Sequence, residues 1–535
     1  MTENNLSSLG DPNIPARDKH PDDAVALLER KLEHQPVDVQ TLLDLAGLYQ
    51  RQGRFEKTAA CLARALVQRP NSAAIHNDLG VALSRLSRHK EAEICFQHAL
   101  TTRANFAETL DNIKHVARMQ GALGESVDWH RQALALSPNF AEAHFHLGVT
   151  HREQNQLAEA VTCFRRALAL KPDYVDALVH LGAVLREGGH FAKAAACQRC
   201  ALALAPDNLD AQLNLAFIQL TLGDFRAGSV AYECRFGTGA NRRYPIEGKP
   251  MWDGRAMPSR TLLLSGELRF GDAIQFIRYA RLARPLAGRI VLRCHPALQR
   301  LLATAPGIDD VSPITAPMPD FDAFIPLLSL MRLHGTTLAT IPAHVPYLAA
   351  DPARISTLAP RFAGNALKVG IVWAGNPGQG NDRRRSLPLA ALAPLFDVPD
   401  VKFFSLQMNA FTGRPSTRAA ELQTSPLASK ITDLAPHLRD FADTAAALTC
   451  LGLLISVDTS VLHLAGALGR PTWALLSFNA DWRWLRARAD CPWYPGLRLY
   501  RQGRSFDWAP LVALVRRDLS ALAGTAMEKY LRDVR

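Results

Sequence analysis

Three stretches in the second half of the chain carry residues whose types and spacing suit proton transfer and phosphate binding. In TLLLSGELRFGDAIQF, Asp272 follows Gly271 a few residues after an apolar run, which places a carboxylate at the start of a helix. Such a carboxylate either caps the first turn, where aspartate is favoured, or faces the crevice beyond the strand as a general base. In ISVDTSVLHLAGALG, Asp458, Thr459 and Ser460 stand between an apolar strand and an apolar helix that Gly469 ends. A helix N-terminus there offers free N–H groups and partial positive charge to a phosphate, each contact worth about 0.3–1 kcal/mol when exposed. His463, one turn further on, is either a satisfied core residue or one more donor to the same group. The third stretch, WAGNPGQGNDRRRSLPL, joins glycines that permit close backbone approach to three successive arginines. Arg384 and Arg385 are the candidates for pairing with phosphate in fork geometry; the competing reading is a solvated charged loop.

These residues need a scaffold of strands and helices to bring them together. From Thr261 the order is apolar strand, glycine-bearing turn and helix, and IVLRCHPALQRLLATAPGIDDV repeats it. Beyond DPARISTLAPRFAGNA the short apolar runs KVGIVWAGNP, VKFFSLQ, LLISVD and TWALLS are mostly followed by helical stretches. Alternation of this kind predicts parallel sheets. The expected arrangement is two facing Rossmann-like domains, 261–350 and 367–535, joined by a linker over 351–366, with a cleft between them.

The first two-fifths follow a different rule. Pro36, Pro70, Pro138, Pro172 and Pro206 are separated by 34 residues or twice 34. Small residues recur in step: Gly80, Gly148 and Gly182; Ala92, Ala160 and Ala194; Ala65, Ala99, Ala133, Ala167 and Ala201. Antiparallel helices approach closely only where facing residues lack bulk, so this is a helical solenoid of tetratricopeptide type. Six units fit between about Val37 and about Gly239, and the half unit PDDAVALLERKLEHQP precedes them as a cap. The domain reading is a flexible segment 1–20, a superhelix 21–239 and a linker 240–260. One polar position of each first helix recurs at Asp44, Asp78, Asn112, His146, His180 and Asn214. Stacked along one line, these side chains either bind an extended polypeptide through its amides or satisfy neighbouring repeats.

Composition narrows the function classes. The chain has 535 residues, 48% of them hydrophobic, ample for packed cores. Its net charge of +11 is dispersed and accompanied by no nucleic-acid signature, which favours phosphate-bearing ligands or acidic surfaces. No apolar run reaches the roughly 20 residues of a membrane span, and MTENNLSSLGDPNIPARDKH has neither the basic start nor the apolar core of a signal peptide, so a cytoplasmic location is expected. Cys61, Cys95, Cys163 and Cys197 share one repeat position, and Cys200 and Cys234 another, as small packing residues. Cys197 and Cys200 spell C-x-x-C inside a repeat helix without the strand context of a redox site.

The motifs also carry a resemblance, from about Asp22 to about Ala523. GELRFGDAIQFIRYARL resembles the GEQGLGDTIQFLRYAPL motif of bacterial tetratricopeptide glycosyltransferases. VGIVWAGNPGQGNDRRRSLPLAAL, ISVDTSVLHLAGALGRPTWALL and DWRWLRARADCPWYPGLRLYRQ resemble three further motifs of that family, in the same order. The catalytic half is similar to heptosyltransferases of lipopolysaccharide synthesis, and the architecture to O-GlcNAc transferase. The resemblance implies an α + α/β fold class: a tetratricopeptide α-solenoid followed by a GT-B pair of Rossmann-like domains. It implies a nucleotide-sugar co-substrate, no other cofactor and no obligatory metal; the D-x-D formed by Asp320, Phe321 and Asp322 is a two-residue match that arises easily by chance and is read as coincidence. It gives the general-base role to Asp272 and donor binding to Asn376, Arg384, Arg385, Asp458, Thr459, Ser460 and His463. The repeat groove favours a polypeptide acceptor, whereas the heptosyltransferase likeness favours a surface glycan or lipid-linked one. One departure keeps a third reading open, a non-catalytic scaffold with a degenerate transferase domain. Arg269 stands where the family has glycine, and a turn needing positive φ would be costly there.

Overall fold

The computed structural model describes residues 21–102, 109–110, 112–113, 123–237, 248–266, 269–377, 382–408 and 420–534. The chain divides into two compact units, Met1–Ala211 and Gln212–Arg535.

The first unit is built of antiparallel helix pairs, among them Ala73–Arg85 with His89–Thr102, Ala141–Glu153 with Leu157–Leu170, and Val175–Glu187 with Phe191–Leu204. The recurring glycines have a steric cause. A Cβ on Gly80 would lie 2.5 Å from the Phe96 ring and one on Gly148 2.8 Å from the Phe164 ring, so each glycine admits a fully buried phenylalanine from the partner helix. Gln198 takes the phenylalanine's place in the next pair, where a Cβ on Gly182 would come within 2.2 Å of its Nε2. That buried amide donates through Nε2 to the Val179 carbonyl at 3.0 Å, while among the described residues its Oε1 has no partner. All nine cysteines are free, and burial raises the Cys197 thiol pKa.

The second unit holds two parallel sheets. Strands β1 (Met257–Ser265), β2 (Ala287–Cys294), β3 (Asp310–Pro313) and β4 (Ala323–Pro326) form one, in the order β3-β2-β1-β4. Strands β5 (Leu367–Val372), β6 (Val401–Ser405), β7 (Ile431–Asp433), β8 (Leu453–Val457), β9 (Thr472–Leu476) and β10 (Leu497–Arg501) form the other, in the order β10-β9-β8-β5-β6-β7. Every residue of β8 and β9 is buried, so they read as continuous apolar runs instead of alternating ones. Strand order reverses between β1 and β4 and between β5 and β8, and crevices beyond the carboxyl ends at such points are where open α/β sheets bind ligands.

One apolar core reaches from Leu262 and Leu264 on β1 to Leu454 on β8 and Trp482, Trp484 and Trp493 beyond β9. Leu220 and Phe225, which in the sequence fall within the last repeat unit, belong to that core, and Phe225 lies 5.4 Å from the Trp493 ring. Asp322 serves the fold, accepting from the Thr261 N–H at 2.7 Å beside β1. Among the described residues no helix is long and apolar enough to cross a membrane.

Candidate active site

Two helices meet here, each following a strand at one of the reversal points. Beyond β1 comes the helix Phe270–Phe276, with Arg269 as its N-cap residue at φ −107° and ψ 128°. That is ordinary extended backbone, so arginine occupies the family's glycine position without strain. Arg269 is exposed. Asp272, in the first turn, does not cap the helix: its Oδ1 accepts from Arg483 Nη2 at 2.7 Å. Gly271 brings this turn against the second helix, since a Cβ there would stand 2.9 Å from Cδ2 of His463.

The second helix, Ser460–Ala467, follows β8 and Asp458. Thr459 is its N-cap residue, and its side chain makes no capping hydrogen bond. Leu468 and then Gly469, at φ +68°, end it, a left-handed turn that favours glycine. His463 is 5% exposed, stacks on Trp484 with ring centroids 5.1 Å apart, and places Nδ1 3.0 Å from Tyr494 Oη. Burial, aided by the Arg483 charge, pushes its pKa down to about 3, so the imidazole is neutral. Its Nε2 lies 3.9 Å from Asp458 Oδ1. Burial, aided by the neighbouring Asp481 charge and opposed by Arg385, pushes the Asp458 carboxyl up to about 6.

Arg483 sits in the 3₁₀ turn Trp482–Trp484 after β9. Besides Asp272, it donates through Nε to Gln275 Oε1 at 2.7 Å and through Nη1 to Asp481 Oδ1 at 2.8 Å. Its carbon Cζ lies 4.4 Å from the Trp482 ring centroid. Burial disfavours both charges of the Asp481–Arg483 pair, but their mutual attraction prevails: the Asp481 carboxyl stays below the usual range and the guanidinium pKa is raised. A second buried arginine, Arg278, joins the same two halves by donating to the Trp493 carbonyl at 2.7 Å and to Tyr347 Oη at 2.8 Å.

The arginine loop beyond β5 reaches this region through Arg385, which donates to the Asp458 carbonyl at 3.1 Å and to Asp382 Oδ1 at 3.2 Å. Its guanidinium lies against Gly375, where a Cβ would come within 2.2 Å of Nη2. Gln407 fixes the strand end by accepting from the Trp373 and Ala374 N–H groups at 3.2 and 3.0 Å. Asn376 is exposed just past β5 and Arg384 is half-buried; residues 378–381 of the loop lie outside the described ones. Thus Asp272, Asp458, Thr459, Ser460, His463 and Arg385 share one neighbourhood. Arg483, Asp481, Trp484 and Tyr494 complete it, and the sequence signals them only through the motif that contains them. Among the described residues no group of three or more histidine, cysteine, aspartate or glutamate side chains is arranged to hold a metal ion.

The ladder positions lie elsewhere. Asp44 is half-buried and accepts from Gln40 Nε2 at 2.9 Å; Asp78 and His146 are buried; Asn112 donates to Asn77 Oδ1 at 2.9 Å. His146 packs on Phe145 at 5.1 Å, and His180 meets the same ring edge-on at 5.2 Å. Asn214, half-buried, falls in the second unit.

Comparison with known proteins agrees with this division. Residues 37–105 match a model of the tetratricopeptide repeat, residues 150–187 a second model of the repeat, and residues 407–482 the model of glycosyltransferase family 9 (heptosyltransferase). The chain therefore combines tetratricopeptide repeats with a glycosyltransferase family 9 domain. It is 24% identical over 320 residues to protein FlbA of Caulobacter vibrioides, an alignment covering 55% of this chain and 52%, about half, of that relative. Among solved structures it is similar to YrrB, described as a tetratricopeptide protein with an unusual peptide-binding site, at 20% identity, TM-score 0.26, over 35% of this chain and 96% of that one. It is likewise similar to Pseudomonas aeruginosa pilF, at 20% identity, TM-score 0.30, over 43% and 96%.

Proposed function

We propose that the second unit is a metal-independent glycosyltransferase of GT-B type that moves a sugar from a nucleotide sugar to an acceptor hydroxyl. The observation that supports this is the apposition at Gly271, which brings the turn carrying Asp272 against His463 of the helix Ser460–Ala467. Asp272 takes the proton of the acceptor hydroxyl as its oxygen bonds to the anomeric carbon. The bond from that carbon to the donor's phosphate oxygen breaks, and the nucleoside diphosphate leaves. Its negative charge is met by the helix N-terminus at Thr459 and Ser460 and by Arg385, with Asn376 and Arg384 as further contacts. Neutral His463 serves as a hydrogen-bonding wall of the phosphate site. The acceptor is a polypeptide, supported by a repeat array whose 34-residue period suits a ligand much longer than any sugar nucleotide. A surface glycan is the second reading, favoured by the heptosyltransferase match.

Calorimetry with uridine, adenosine, guanosine and thymidine diphosphates tests the donor site. One of the four is expected to bind, and silence across the panel contradicts the proposal. Mass spectrometry of the modified product separates the two acceptor readings.

A further inference from the structure

Asp272 is held from the opposite domain. Its helix belongs to the first sheet's domain, whereas Arg483 follows β9 of the second, 211 residues along the chain. The guanidinium is 5% exposed and engaged on all three nitrogens: Nη2 with Asp272, Nη1 with Asp481, Nε with Gln275, each between 2.7 and 2.8 Å. It is pressed between aromatic rings, with Cζ 4.4 Å from the Trp482 centroid and 5.5 Å from that of Phe276. A planar fork bonded on three nitrogens is matched by guanidinium geometry, and lysine, with one point charge, cannot reproduce it. Only Oδ1 of Asp272 is taken; among the described residues no donor reaches Oδ2.

We propose that Arg483 is a positioning residue that fixes Asp272 relative to the donor-side helix, presenting Oδ2 to the acceptor hydroxyl. This rests on the reading of Asp272 as the base. The contact spans the two domains, so the base is in register with the donor site only when they are closed on each other. The two carboxylates on Arg483 divide the work: Asp481, its neighbour on the same turn, anchors the guanidinium to the donor-side domain, and Asp272 is the group it delivers. Gln275 fixes the fork from the helix that carries the base.

A double-mutant cycle on the full chain tests this, with turnover and donor KM measured for Arg483→Met, Asp272→Asn and the pair. A general base accounts for about 10²–10⁴-fold, so Asp272→Asn is expected to lose that much turnover. Arg483→Met is expected to lose about 10²-fold in kcat, as for a misplacement of about 1 Å, with donor KM within about threefold. The double variant is expected to be no slower than Asp272→Asn alone, because positioning has no value without the group positioned. Arg483→Lys keeps the charge and is expected to recover part of kcat; if Arg483→Met does not fold, the cycle is run with this variant. Losses that multiply in the double variant, or wild-type kcat in Arg483→Met, overturn the positioning role while leaving Asp272 as base. Wild-type turnover in Asp272→Asn overturns both.

Discussion

Replacing Gly271 by alanine probes the apposition on which the site depends. The new methyl carbon would stand 2.9 Å from Cδ2, 3.5 Å from Nε2 and 3.8 Å from Cγ of His463. Ordinary carbon contacts lie at about 3.5–4.0 Å, so the closest contact is short by about 0.6–1 Å. The ring cannot swing away, because it is stacked on Trp484, bonded to Tyr494 and buried. The two helices must separate instead. Overpacking of this kind costs about 1–3 kcal/mol, offset by about 0.5–1 kcal/mol from replacing a helical glycine, for a net loss of up to about 2.5 kcal/mol. The same separation moves the turn carrying Asp272 away from the helix Ser460–Ala467 by a large fraction of an ångström, which on the proposed function is expected to lower kcat by about 10–100-fold. Thermal melting and initial rates under saturating donor measure both effects. A variant with wild-type stability and turnover would refute the reasoning.

Two ionisable groups give opposite pH signatures. The His463 pKa of about 3 lies below the ordinary 6.5, so as pH falls through that window the unfolded chain takes up a proton that the folded one refuses. Between pH 6.5 and 4.5 this removes about 2–3 kcal/mol of stability, and His463→Gln is expected to abolish that component of the melting profile. Asp458 is raised to about 6 and is therefore neutral below it, which on the proposed function removes a repulsion from the donor's diphosphate. Donor affinity is expected to rise several-fold from pH 7.5 to 5.5 by titration calorimetry, and to lose that slope in Asp458→Asn. In the helix Ala509–Val534, a Cβ on Gly524 would meet nothing within 4 Å, so Gly524→Ala is expected to stabilise by about 0.5–1 kcal/mol, whereas Gly80→Ala, 2.5 Å from Phe96, is expected to destabilise; chemical denaturation distinguishes the two signs.

The solenoid is legible because its steric requirement repeats every 34 residues, and Gly80 and Gly148 mark where a phenylalanine must enter. Strand β8 and the helix after it are legible because Asp458, Thr459 and Ser460 interrupt an apolar run at the point where strand gives way to helix. Long-range packing is what the sequence hides. Gly271 reads as a turn glycine, yet it is not in the left-handed region; what requires it is His463, far along the chain. Arg483 is unreadable as a partner of Asp272 because no local period links residues 211 apart. Spacing places the ladder residues on one line, but only the packed helices decide that Asp78 and His146 are covered. Phe225 keeps the repeat's pattern, matching Phe191, while it and Leu220 pack in the same core as the tryptophans of the second unit, so a truncation meant to isolate that unit must retain them.

The most direct test of the central claim is release of nucleoside diphosphate from a panel of nucleotide sugars, measured for the full chain and its Asp272→Asn variant with a cell extract as acceptor source. The account predicts that one donor is turned over and that the variant, binding it with nearly the same affinity, is slower by about 10²–10⁴-fold. Turnover of no donor by the wild-type chain, or equal rates in the two proteins, would contradict it.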